Sequence, residues 1–357
     1  MSKSLQVRRG GYVDSVTLMQ VSRRISRAPG VTAALVAMAT DLNLDMAASM
    51  GFALPERAAP NEMLVAVEAD DEDALASALR LVETALRETA TPAPTGFGAA
   101  PPPVTVGAGA RRAEAAVALI STPGEYAFAD AVDALDAGLH TMVFSDNVPV
   151  EQELALKVYA ERADVLVMGP DCGTAVLGGV GLGFANVVRP GPVGIVAASG
   201  TGAQQLMTLL DGADVGISHC LGVGGRDLSA RVGGRSTLRA LELLDADDAT
   251  ELVVVVSKPP DRAVAEELER RVRRLGKPVL LALLAEGRPD LTSTAKDVVE
   301  TAGGSWKPPV MHPGAVRDGR PGGFLRGLFA GGTLCYEAML LATEEVGTVA
   351  SNVPLPG

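Results

Sequence analysis

Gly194-Ile195-Val196-Ala197-Ala198-Ser199-Gly200-Thr201-Gly202 is an apolar run that breaks into Ser-Gly-Thr-Gly and leads into helical spacing over residues 203–210. The order is that of a buried parallel strand, a tight turn and a helix start. Glycines at such a turn let the backbone approach a ligand closely, and the free N–H groups of the first helical turn point at whatever sits there. Ser199 and Thr201 add two hydroxyls. The pattern predicts an anion site at Ser199, Gly200, Thr201 and Gly202. An ordinary strand-to-helix turn with a capping Thr has the same local sequence, because helix N-caps favour Ser and Thr. The neighbouring segments have to choose between the two.

Those segments repeat the rhythm. Upstream, strands are predicted at 115–120, 140–144 and 165–168, with helices at 125–137 and 150–162. Downstream, strands at 193–197, 215–221, 251–256 and 278–284 alternate with helices to residue 210 and at 235–244 and 262–275. Each strand ends at a polar or Gly-rich loop, where ligands collect in an open parallel sheet. Closer to the N-terminus, strands at 12–13, 31–38 and 63–67 mix with helices at 15–27 and 70–86, the last opened by acidic residues that suit its positive end. The predicted fold class is α/β: a small α+β module at 1–88, a Pro/Gly linker at 89–110, and two doubly wound domains in tandem, Rossmann-like at 111–190 and flavodoxin-like at 191–302. A C-terminal extension with one helix near 333–345 and a Pro-containing tail fills 303–357.

Composition agrees with stacked βαβ units. Hydrophobic residues make up 47% of the 357, aromatics only 3%, and 40 residues are Gly, which suits strands buried on both faces. The longest apolar runs, Leu252 to Val256 and Pro278 to Ala285, fall short of the ~18 residues of a membrane span, and the polar, basic start has no apolar leader region. A cytoplasmic protein without membrane contact is expected. The net charge of -12 argues against nucleic acid as a partner. Cys172, Cys220 and Cys335 are scattered, without a Cys-x-x-Cys pair, so neither a metal site nor a cofactor is expected.

Several loops follow one another in the order of a known family. Gly169-Pro170-Asp171-Cys172-Gly173, the run 181–187, the run 195–202 and Cys220-Leu221-Gly222-Val223-Gly224-Gly225 are similar to the α-subunit of succinyl-CoA synthetase over roughly 111–287. A closer resemblance runs along the whole chain. Tyr12-Val13-Asp14-Ser15-Val16-Thr17-Leu18-Met19, Val143-Phe144-Ser145-Asp146-Asn147-Val148-Pro149, residues 168–174, Val256-Ser257-Lys258-Pro259-Pro260 and Arg326-Gly327-Leu328-Phe329-Ala330-Gly331-Gly332-Thr333-Leu334-Cys335-Tyr336-Glu337 resemble the FdrA/AllF family.

The synthetase relays a phosphoryl group through a histidine oriented by a glutamate. The corresponding loop here reads Leu284-Ala285-Glu286-Gly287-Arg288-Pro289, and Ser257-Lys258 stand where the glutamate is expected. His140, His219 and His312 each lie in a different context. Two substitutions thus weaken an acyl-CoA ligase reading, since a ligase cycle needs its phosphoryl carrier. Ser121-Thr122-Pro123-Gly124-Glu125 also stands where a Gly-rich CoA fingerprint is expected.

The resemblance to FdrA/AllF implies a subunit of oxamate carbamoyltransferase in allantoin and purine catabolism, interconverting oxalurate and phosphate with oxamate and carbamoyl phosphate. That reaction needs a phosphate cradle, cations for a carboxylate and donors for an oxyanion. The expected phosphate site is Ser199, Gly200, Thr201 and Gly202, with Gly224 and Gly225 beside it. Arg226 and Lys258 are the expected catalytic cations, and Gly169, Pro170, Asp171, Cys172 and Gly173 the expected carbamoyl contacts. An ion pair of Arg226 with Asp227 or Asp214, a surface Lys258 before a Pro-Pro turn, and a purely turn-forming Asp171 and Cys172 are the competing structural readings. The other readings of function are an acyl-CoA synthetase subunit and a non-catalytic regulatory or assembly subunit. Longer family members continue beyond the helix near 333, whereas this chain stops at Gly357, so the expected partners are a separate polypeptide supplying the second synthetase-like half, further carbamoyltransferase subunits, and the small-molecule anions.

Overall fold

The computed structural model describes residues 2–9, 13–55, 57–89, 102–310, 324–353 and 355. Tyr12, residues 90–101 of the expected linker and His312 lie outside them. The chain divides into two compact units, residues 1–102 and 103–357.

In the first unit, β1 (Ser2–Arg8), α1 (Ser15–Ile25), β2 (Val31–Met38), α2 (Asp41–Ser49), β3 (Met63–Ala69) and α3 (Glu72–Thr89) follow in order. The strands form an antiparallel sheet in the order β1-β3-β2. Asp14 caps α1 by accepting the Thr17 N–H at 2.9 Å. β3 alternates strictly: Met63, Val65 and Val67 join α1 and α3 in one core, while Leu64 and Ala66 face Ala47 of α2 and Phe52 in another. Two features depart from expectation. A strand at 2–8 was not expected, because Leu5 and Val7 alternate with polar residues and gain their ladder only from β3; of the expected strand at 12–13, Tyr12 lies outside the described residues and Val13 is in no strand. A short helix, α2, was also not expected; Thr40 caps it and it covers the second face of the sheet.

The second unit opens with α4 (Val106–Ala110), β4 (Val117–Ile120), α5 (Gly124–Asp136), β5 (His140–Val143), α6 (Val150–Arg162) and β6 (Val167–Met168). β4, β5 and β6 form a parallel three-stranded sheet. The end of the expected extended linker is in fact α4. Thr105 caps it, and Val106 and Ala110 pack on the α5 core.

The chain continues through β7 (Thr174–Leu177), β8 (Val180–Gly183), β9 (Pro190–Ala197), α7 (Gly200–Gly212), β10 (Ile217–Gly222), α8 (Arg235–Ala246), β11 (Leu252–Ser257), α9 (Arg262–Val272), β12 (Val279–Leu283), α10 (Leu291–Thr301) and α11 (Gly332–Val346). These strands form a six-stranded sheet in the order β12-β11-β9-β10-β7-β8. Its four central and outer strands β12, β11, β9 and β10 are parallel, and the β7–β8 hairpin adds an antiparallel edge. Val193, Ile195, Val254 and Val256 face α7, α10 and α11, whereas Val196, Val253 and Val255 face α8 and α9. Burial on both faces is why these strands read as unbroken apolar runs. The fold is the predicted α/β class, with a small module followed by doubly wound, Rossmann-like layers.

Candidate functional site

The connection after β9 leaves through α7 on one face of the sheet, and the connection after β11 leaves through α9 on the other. Adjacent strands whose connections diverge in this way leave a crevice at their carboxyl ends, where ligands bind in open α/β sheets. Ala197 lies opposite Val256, and the Ala198 N–H donates to the Val256 carbonyl at 3.0 Å. One and two residues further on, Ser199 and Lys258 flank the crevice. The strand order, invisible in the local sequence, is what joins them.

Ser199, not Thr201, is the N-cap of α7: its φ of -156 and ψ of 109 are extended, and its Oγ accepts the Gly202 N–H at 3.0 Å. A second helix start meets it. Ser199 Oγ and Thr333 Oγ1 lie 2.6 Å apart, both buried. A Cβ on Gly331 would lie 2.8 Å from Thr201 Cγ2, so only glycine lets the two helix starts touch. Gly331 is the N-cap of α11 and brings no side-chain cap. A Cβ on Gly332 would lie 4.0 Å from Lys258 Nζ. Lys258 is half-buried and makes no ion pair or hydrogen bond among the described residues. Two positive helix ends and an uncompensated ammonium group therefore converge, a potential that an anion neutralises.

The Gly169–Gly173 turn borders the same crevice. The Asp171 N–H donates to the Ser145 carbonyl at 2.9 Å and the Cys172 N–H to that of Val143 at 3.1 Å. A Cβ on Gly224, at φ 88, would lie 2.6 Å from the Pro170 carbonyl oxygen, and one on Gly225 would lie 4.0 Å from that of Ala198. The loops 169–173, 222–225 and 198–202 are thus brought together. Burial pushes the Asp171 carboxyl up, as does the nearby Asp146, against the opposing pull of Arg226. Burial also pushes the Cys172 thiol up to about 12, so it is a protonated, weakly nucleophilic group. The Cys220 thiol is pushed up for the same reason. At pH 8 a thiol reagent is expected to modify no more than the half-buried Cys335 in the native chain, with Cys172 and Cys220 reacting only after unfolding; rapid native labelling of Cys172 would reinstate it as a nucleophile.

Arg226 has a different partner from either expected one. Its Nε donates to Glu153 at 2.8 Å and its Nη2 to the Val148 carbonyl at 2.8 Å, leaving 47% of the side chain exposed. Asp214 instead pairs with Arg189 and Lys307. Asp227 belongs to a buried network around Lys157, whose Nζ donates to Glu153 at 2.8 Å, Asp227 at 2.7 Å and the Val223 carbonyl at 2.9 Å. The same Asp227 accepts the N–H groups of Ser236 and Thr237 and the Thr237 hydroxyl, standing in for a cap on α8. Among the described residues Arg226 makes no hydrogen bond to the Ser199 turn; it stands with Asp171 and Asp146 at the side of the crevice.

Sequence reasoning missed Lys157, Glu153 and Thr333. Only Thr333 carried a signal, its Gly-Gly-Thr lead into a helix. His219 faces Gly178 and Asp247, and residues 284–290 line a cleft with Glu337 and Leu340 of α11. Among the described residues no three of His, Cys, Asp and Glu gather as metal ligands, and no helix is long and apolar enough to cross a membrane.

Residues 1–101 match the family model described as "AllF, heavy metal-associated domain". Along 379 aligned positions the chain is 35% identical to "Uncharacterized protein YahF" of Escherichia coli (strain K12), covering 99% of this chain and 72% of that one. It is 31% identical over 176 residues to the "Succinate--CoA ligase [ADP-forming] subunit alpha 2" of Archaeoglobus fulgidus, a match that takes in 48% of this chain and 59% of the relative. Among solved structures, the dinucleotide-forming acetyl-coenzyme A synthetase 1 of Ca. Korarchaeum cryptofilum aligns at 18% identity with a TM-score of 0.43, over 61% of this chain and 46% of that one. With the first unit matched by the AllF model and a relative aligned along nearly the full chain, the conclusion is that this chain belongs to the FdrA/AllF family of succinyl-CoA-synthetase-like proteins.

Proposed function

We propose that the chain is a subunit of a carbamoyltransferase that interconverts oxalurate and phosphate with oxamate and carbamoyl phosphate. The observation that supports this reading best is the switch-point crevice, where the starts of α7 and α11 converge with Lys258, which has no partner among the described residues. In this reading phosphate sits at the turn of Ser199, Gly200, Thr201 and Gly202, on the Gly200 and Thr201 N–H groups and the Thr201 hydroxyl, while Ser199 Oγ, which accepts the Gly202 N–H, holds the turn in shape. A phosphate oxygen attacks the ureido carbonyl carbon, the carbonyl oxygen becomes an oxyanion in the tetrahedral intermediate, and the C–N bond to the oxamate nitrogen then breaks as that nitrogen takes a proton. Lys258 offsets the charge that develops on the transferring group, and the exposed side of Arg226 is available to the substrate carboxylate. The Gly169–Gly173 turn, pressed against Gly224, supplies the carbamoyl contacts. Holding the two reactants in place contributes most of the rate in such a site. The partners in this reading are a separate polypeptide with the second synthetase-like half and further subunits of the complex.

A second reading, an acyl-CoA ligase subunit, is favoured by the succinate–CoA ligase α subunit among the relatives. The absence of histidine from residues 284–290 weighs against a phosphohistidine relay. The experiment is carbamoyl phosphate formation from oxalurate and phosphate by the chain co-purified with its partner polypeptides, beside a Ser199→Ala/Thr201→Ala variant. The expected result is activity that falls at least a hundredfold in the variant. An intact complex inert with oxalurate overturns the substrate, a thermal shift with CoA alone then supports the ligase reading, and a complex that binds neither is regulatory.

A further inference from the structure

The family model that matches residues 1–101 carries heavy metal in its description, and the chemistry of these residues does not fit such an ion. Heavy, soft metals are held by thiolate, thioether and imidazole groups, with carboxylates serving harder cations. Residues 1–102 contain neither Cys nor His. Of their methionines, Met38 and Met63 are buried in the apolar core, while Met19 and Met46 point outward on α1 and α2. The acidic run 70–73 opens α3, where Asp71 is engaged in accepting the Ala74 N–H at 2.8 Å. Among the described residues no three of His, Cys, Asp and Glu gather.

A second observation shows what takes the place of a metal. Both faces of the β1-β3-β2 sheet are covered by apolar side chains: Leu18, Val21 and Val82 lie on one side, and Ala47, Phe52 and Leu44 on the other. A metal that closes a small domain contributes the folding energy which such a core otherwise supplies. Here α2 and Phe52 complete that core, so a metal has no structural task to perform.

We infer that the N-terminal unit is a metal-free form of the heavy metal-associated module, whose residues do not bind a heavy metal. The test uses the full chain carrying Cys335→Ser, which removes the half-buried thiol of the other unit. Cu(I), Zn(II) and Cd(II) are titrated anaerobically against a chromophoric chelator while backbone amide signals of residues 2–89 are followed, and thermal unfolding is recorded with and without EDTA. The expected result is no shift of those signals at one equivalent of any of the three ions and an unchanged Tm with EDTA. Metal retained by the unaltered chain and lost on Cys335→Ser belongs to the second unit and supports the inference. One equivalent held against the chelator with shifts confined to residues 2–89 overturns it.

Discussion

Replacing Lys157 with methionine is expected to destabilise the second unit by about 3–5 kcal/mol, the usual cost of removing one partner from a buried ion network. In a unit of this size that corresponds to a fall in Tm of roughly 10 °C. Methionine keeps most of the volume, so the effect isolates the charge. Lys157 and Glu153 are each 1% exposed and Asp227 is fully buried. Without the ammonium group, Glu153 retains Arg226, and Asp227 retains its bonds from Ser236 and Thr237. Each carboxylate then keeps part of its compensation, while the Val223 carbonyl loses the donor that holds the loop before Gly224. Pairing Lys157→Met with Glu153→Gln removes a buried charge of each sign and is expected to cost less than the two single changes added together, by 0.5–3 kcal/mol as typical for residues in contact, at about the scale seen in double-mutant cycles. Urea unfolding of the four proteins measures this directly. Simple additivity would mean that the network carries no coupling.

Lys258→Met is expected to behave in the opposite way. Lys258 has no partner among the described residues, so Tm should stay within a degree or two, as for changes away from buried networks, roughly the ±0.5 kcal/mol of ordinary surface substitutions. Carbamoyl phosphate formation by the assembled complex should fall by about 10²–10³-fold, the typical effect of deleting one group that stabilises charge in a transition state. Lys258→Arg restores the charge but not the compact ammonium and should recover only part of the rate. The informative comparison is kcat/KM for phosphate beside Tm. Undiminished kcat/KM in Lys258→Met would remove this residue from the site, and a loss of rate with a large loss of Tm would make its role structural.

These two lysines show what could and could not be read from residues in a row. The apolar runs at 193–197 and 252–256 and the glycine-rich turn at 199–202 reveal strands, a helix start and hence an α/β fold, because a strand buried on both faces and a helix with one apolar face leave local periodic marks. The strand at 2–8 left too weak a mark, since its pairing with β3 supplies what its own side chains do not. Lys258 was legible as a cation at a strand end. Its lack of a carboxylate partner among the described residues was not, nor was its nearness to the start of α11. Ser199 and Thr333 are 134 positions apart, and Lys157 and Asp227 are 70 apart. Residues in a row carried most of the elements, their order and the chemistry available at the strand ends, though not β1, α2 or α4. That Arg226 goes to Glu153, that Lys157 is stripped of water among carboxylates and that two helix starts meet beside Lys258 follow from the folded arrangement alone, because desolvation and charge pairing depend on which distant segments the sheet brings together.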